Sequence, residues 1–150
     1  MNKQNLVSYL EEKNVEYEII NHTRSIKTAQ EGADYHGIDI SQTAPTLILR
    51  TERGYFCLII SGNYGRVVMS SLKGLLNAEE VRLANPQEVE EVTGTQIGNV
   101  SLINPELPTI IDRELYRYSH IYGGAGEPQT TLKLRSRDME KLINVIGYVR

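Results

Sequence analysis

Two spacings of apolar residues organise the chain, one of helical period and one of strand period. Between residues 3 and 14, Leu6, Tyr9 and Leu10 recur at helical spacing with charges between them, which predicts an amphipathic helix. From Val15 to Ile20 the period drops to two, with Val15, Tyr17 and Ile19 set against Glu16 and Glu18, a half-buried strand. Thr28-Ala-Gln-Glu31 has the form of a capping box, in which hydroxyl and carboxylate satisfy free amides at a helix start. That helix is expected to run to about His36 and to stop at Gly37.

Thr46 to Arg50 and Tyr55 to Ser61 read as two apolar strands of a hairpin turning at Glu52-Arg53-Gly54. A short strand is expected at Val67 to Met69, then a short helix capped by Ser70 or Ser71 and ending near Leu76. Val81 to Ala84 gives another strand. Asn85-Pro86 opens a helix that ends at Gly94, because proline suits the first helical position. Residues 94–108 form a loop without periodicity, and long loops in small domains are often functional. Pro108 to Asp112, Ser119 to Tyr122 and Thr130 to Leu134 are further strands. Ser136 is expected to cap a final helix with Met139, Leu142, Ile143 and Ile146 on one face, closed by Gly147. The pattern holds no repeat, linker or second domain. It predicts one mixed α/β domain over residues 1–150, with a curled, barrel-like mixed sheet and helices packed outside.

Composition narrows the function more than the fold. With 40% hydrophobic and 23% charged residues, the chain has the profile of a globular protein rather than a disordered one. A net charge of −3 argues against a sequence-independent nucleic-acid binder, and no partner DNA is expected. The charge is uneven. Glu79 to Glu91 holds five acids and one base, whereas seven bases face five acids from Asp112 onward, which permits a modest basic surface there. The first residues lack a signal-peptide apolar stretch and no segment reaches membrane-spanning length, so a cytoplasmic location is expected. Nine tyrosines suit half-buried strand positions and could also line a cleft.

Side chains with catalytic potential are sparse. The lone Cys57 lies in the apolar run Tyr55-Phe-Cys-Leu-Ile-Ile60 and reads as a buried structural thiol. His22, His36 and His120 are scattered, without paired metal spacing, and read as surface or packing residues; no metal site is expected. Two glycine loops, Gly94-Thr-Gln-Ile-Gly98-Asn-Val-Ser101 and Gly123-Gly-Ala-Gly126, offer approachable amides that suit an oxygen ligand. They also serve as plain turns. Asp112 is either a solvated strand end or a buried acid holding a loop, and the sequence leaves both open.

In this order and spacing the segments resemble the YbaK/EbsC family, which includes the editing insertion of bacterial prolyl-tRNA synthetases. The resemblance runs from about Leu6 to Ile143. It is carried by the strand ending at His22, Thr28-Ala-x-Glu31, Thr46-Leu-Ile-Leu-Arg50, Arg82-Leu-Ala84, Thr93-Gly94, Gly98-Asn-Val-Ser101, Leu107-Pro-Thr-Ile-Ile-Asp112, Gly123 to Gly126 and Asp138-Met-Glu-Lys-Leu142. It implies a domain that hydrolyses the ester of a wrongly charged tRNA, working in trans on the aminoacyl-tRNA 3′ end. The family positions a water and uses donors aimed at the developing oxyanion, with help from a tRNA ribose hydroxyl and no cofactor. The residues it implies are Gly98 and Ser101 at the carbonyl, Asp112 as a polar pocket residue, and Thr28, Pro45, Thr46, Leu102, Gly123, Gly124, Ala125 and Gly126 at the substrate. A tRNA synthetase or a second copy of the chain is an implied partner.

The chain departs from the family at two places. Pro45 stands where the family carries a lysine, and proline supplies neither cation nor amide hydrogen. Leu102 stands where the family loop Gly-x-x-x-Pro has its proline. Arg50 should face the other side of its strand, so Lys27 and Lys133 are the bases expected to stand in if folding brings them close. The implied alternative is a non-catalytic module that binds a tRNA end, an aminoacyl-like ligand or a protein. An unrelated hydrolase on a shared fold is a third reading.

Overall fold

The computed structural model describes every residue from Met1 to Arg150. In chain order the first elements are α1 (Lys3–Glu12), β1 (Tyr17–Asn21), α2 (Ala29–His36), β2 (Thr46–Thr51) and β3 (Gly54–Ile59). They are followed by α3 (Lys73–Leu76), β4 (Val81–Leu83), α4 (Pro86–Thr93) and β5 (Thr109–Asp112). The chain closes with β6 (His120–Gly124), β7 (Thr130–Arg135), α5 (Met139–Leu142) and β8 (Val145–Val149).

The expected mixed α/β class is what forms. The barrel-like closure is not, because the strands divide between two sheets. One is antiparallel with the order β1-β7-β6, and the other has the order β4-β2-β3-β5-β8. In the larger sheet β2 pairs antiparallel with both β3 and β4, while β5 runs parallel to β3 and β8 parallel to β5. A single parallel bridge, Thr43 to Tyr122, joins the sheets, with the Ala44 amide donating to the Tyr122 carbonyl at 2.8 Å.

All four residues of β5 are buried, its two isoleucines in opposite cores and its Thr109 and Asp112 in hydrogen bonds. Ile111 and Ile59 face a core filled by Leu6 and Leu10 of α1, Ile121, Leu132 and Leu134 of the smaller sheet, and Met139 and Leu142 of α5. Ile110 and Leu58 face the opposite way, onto Leu72 and Leu76 beside α3. Cys57 lies in a third cluster with Ile48, Ala84 and Val89. Burial pushes its thiol up to about 12, so it packs rather than reacts.

The caps are partly those the sequence predicts. Asn85 and Glu88 form a complete capping box on α4. At α2 only half of one forms: Thr28 accepts from the Glu31 amide at 3.1 Å, while the Glu31 carboxylate reaches the Lys27 amide at 3.5 Å.

Several expectations fail locally, among them the cap at Ser70 or Ser71: Leu72 stands at the N-cap of α3 and no side chain caps it. Val67 to Met69 makes no strand and leads instead into a 3₁₀ turn at Met69–Leu72. The final helix stops after Leu142, and β8 follows it. The helical spacing of Ile143 and Ile146 is overridden by pairing: β5 has a free edge, and the Asn144 carbonyl accepts the Thr109 amide at 2.9 Å where β8 docks. Ser136 caps nothing; its hydroxyl donates to the Tyr118 carbonyl.

Asp112 resolves as the buried acid. Fully inside, it accepts from the Ser61 amide at 2.9 Å, the Glu114 amide at 3.0 Å, and Arg150 Nε and Nη2 at 3.2 and 2.9 Å. It thus ties the ends of β3, β5 and β8 together. Asp112→Ala takes the acceptor from the Ser61 and Glu114 amides, while exposed Arg150 keeps Asn63 and water, and a loss of about 1–3 kcal/mol is expected in urea unfolding.

Candidate functional site

A cleft of about 690 Å³ opens between the two sheets. Its walls are the segment from His22 to α2, the start of β2, the loop from Gln96 to Val100, and the β6–β7 turn with the strand ends beside it. The volume falls within the range of small-ligand sites.

The glycine pair at the end of β6 builds this cleft by close approach. A Cβ on Gly124 would lie 2.0 Å from the Val100 carbonyl oxygen, and one on Gly123 would lie 2.9 Å from Leu102 Cβ. Only bare backbone lets the 98–102 loop lie across β6, where the Leu102 amide donates to the Gly124 carbonyl at 2.9 Å. Gly98, in the left-handed region at φ +95°, turns that loop over the cleft. The Gly98 and Val100 amides have no acceptor within the protein, and both residues line the cleft.

The structure brings together six of the residues singled out in the sequence: Thr28, Pro45, Thr46, Gly98, Gly123 and Gly124 all line the cleft. Thr46 Oγ1 is buried there without a hydrogen-bond partner, a hydroxyl available to a ligand. The other five lie elsewhere. Asp112 has the structural role described above. Ser101 is fully buried, its Oγ accepting the Ile103 amide at 3.1 Å. Leu102 and Ala125 belong to the main core. Gly126 sits at φ +84° against the backbone of Met1 to Lys3, where a Cβ would come within 2.5 Å of Met1 O.

Of the two lysines, Lys27 lies exposed on the cleft wall and Lys133 stands outside it, 5.7 Å from the centre of the Tyr122 ring. Tyr122 is the one tyrosine on the cleft wall. The basic tilt of the C-terminal third is largely neutralised, since Arg117, Arg135, Lys141 and Arg150 each pair with a carboxylate.

What the sequence reading missed is a polar cluster on the α2 side. His22 Nε2 and His36 Nε2 lie 2.8 and 3.2 Å from the same Thr131 hydroxyl, and all three residues line the cleft. His36 also packs on Tyr122 with ring centres 5.1 Å apart. Burial, helped by the neighbouring His22, holds the His36 imidazole below its ordinary value of 6.5. His22 follows β1, His36 ends α2 and Thr131 lies in β7, so no local motif marks the three.

Close-packed glycines, amides without a protein acceptor and an unpartnered hydroxyl around a cleft of this size define a small-ligand site. The chain belongs to the aminoacyl-tRNA editing domain family, whose model matches residues 23–142. A proline–tRNA ligase of Bacillus licheniformis is 34% identical over 94 residues, 63% of this chain and 15% of that one. One from Caldicellulosiruptor saccharolyticus is 25% identical over 112 residues, 75% of this chain and 19% of that one. The chain thus spans less than a fifth of the length of these curated relatives. Among solved structures, a hypothetical protein superposes with a TM-score of 0.86 at 25% identity, covering 95% of this chain and 96% of the other. A candidate trans-editing enzyme for prolyl tRNA synthetase gives 0.85 at 24% identity, with coverage of 97% and 93%.

Gly124→Ala should push the 98–102 loop off β6 and destabilise the protein by about 1–3 kcal/mol, the usual range for overpacking, measurable by thermal unfolding. The His36 shift predicts a pH dependence. As pH falls below 6.5 the unfolded chain takes up its proton first, so stability present above that value is lost as pH falls through the lower folded value. Unfolding scans from about pH 7.5 to about pH 5 should show a shallower decline in His36→Gln than in the natural protein.

Proposed function

We propose that the domain hydrolyses the ester of mischarged aminoacyl-tRNA, acting in trans on the 3′ end. The observation that carries this reading is the union of the editing-family match with a cleft lined by Gly98 and Val100, whose amides have no acceptor within the protein. Those amides suit the oxyanion that forms when water attacks the ester carbonyl, and each such donor is worth about 10²–10³ in rate. The aminoacyl group would lie toward Thr46 and Gly123, and Lys27 at the rim would meet a phosphate of the incoming strand. Only this end needs to be gripped, so a net charge of −3 is tolerable. By analogy with its relatives the domain would serve prolyl-tRNA synthetase, as a separate partner or within a larger assembly.

Pro45 favours a second reading, a module that binds the same end without cleaving it. It lies on the cleft wall where the family has its lysine and offers no cation. Its carbonyl accepts the Ile60 amide at 3.1 Å, a bond that a lysine at this position would keep.

Release of amino acid from a panel of correctly and wrongly charged tRNAs tests the two. The natural protein is expected to discharge a wrongly charged tRNA at least tenfold faster than buffer does. Binding without discharge, together with hydrolysis gained by Pro45→Lys, would favour the binding module instead.

A further inference from the structure

We propose that His36 is the proton acceptor for the attacking water, held in that role by Thr131 and His22 as positioning residues. This rests on the deacylase reading above and supplies the base that the reading leaves unnamed.

The hydrogen bonds dictate which nitrogen is free. His22 Nδ1 lies 3.1 Å from the Arg24 carbonyl, which can only accept, so Nδ1 carries the hydrogen. In neutral His22, Nε2 is then an acceptor and takes the Thr131 hydroxyl proton at 2.8 Å. With that proton used, Thr131 Oγ1 accepts at 3.2 Å from His36 Nε2, which must carry its own hydrogen. His36 Nδ1 is left with its lone pair. No protein group bonds it, and it is not among the fully buried polar atoms without a partner, so it keeps contact with solvent on a residue that lines the cleft.

The surroundings suit a base. Tyr122 packs on the His36 ring at 5.1 Å, and Tyr35 and His22 present ring edges at 5.1 and 5.8 Å. The cations nearby are engaged with rings, Arg24 over Tyr35 and Lys133 over Tyr122. Of the charged groups on the cleft wall, Glu127 is paired with Lys3 at 3.0 Å and Lys27 is exposed at the rim. No carboxylate bonds His36 to hold it as imidazolium, and burial beside His22 favours the neutral ring, the form that accepts a proton.

The step balances without a further reactant. His36 Nδ1 takes one proton of the water, and the hydroxide oxygen bonds to the ester carbonyl carbon. When the tetrahedral intermediate collapses, the carbon–ribose oxygen bond breaks and the imidazolium returns its proton to that oxygen. Free amino acid and a tRNA hydroxyl result.

The test is a pH–rate profile of deacylation for the natural protein, His36→Ala and Thr131→Val, each first checked for native circular dichroism and cooperative unfolding. The natural rate should rise with pH through one ionisation below 6.5. His36→Ala should lose about 10²–10³-fold in kcat, lack that limb, and recover in part with added imidazole. Thr131→Val should keep the limb at a displaced midpoint with a smaller loss, which a merely structural role would not produce. A His36→Ala variant within about threefold of the natural rate, or one that keeps the limb, overturns the assignment and leaves the deacylase reading intact. A natural protein that discharges no charged tRNA removes both.

Discussion

The approach of the Val100 carbonyl to Gly124 is the constraint on which the site depends. A loop that crosses a strand end at backbone distance needs a residue without a Cβ beneath it, and Gly123 and Gly124 provide two in succession. The hydrogen bond from Leu102 to Gly124 fastens the crossing. Leu102 can then enter the main core while Gly98 stays over the cleft. The position of the loop is therefore set by packing beneath it. A cleft wall made this way is held in place before any ligand arrives.

Much of the fold was legible because it is written locally. The N-terminal helix, the hairpin, the helix start at Asn85-Pro86 and the strand ending at Asp112 each follow from spacing over a few residues. The C-terminal segment misled for the same reason. Ile143 and Ile146 keep helical spacing, yet a free parallel edge on β5 offers a ladder that no pattern within the segment reveals. Sheet closure was likewise a matter of which strands meet, and periodicity says nothing about that.

The site was legible where backbone chemistry defines it and hidden where side chains converge. Glycines at 98, 123 and 124 stand out in a sequence, though as amide donors rather than as the close-packed seats that two of them prove to be. Ser101 and Asp112 carry groups that look reactive and spend them inside the fold, on the Ile103 amide and on three segments respectively. His22, His36 and Thr131 are ordinary residues one at a time. They acquire meaning when His22 follows the end of β1, with its amide on the Gln129 carbonyl, and Thr131 comes alongside in β7.

The pairing of β1 with β7 also governs when the cleft can exist. Tyr17 meets Leu134 and Asn21 meets Thr130, so the smaller sheet joins residues more than a hundred positions apart. Contacts of such separation form slowly, because the intervening chain must be ordered first. On the ribosome the first strand waits, apolar on one side, until nearly all of the domain has emerged. The histidine it delivers therefore meets Thr131 only once the chain through β7 has been made.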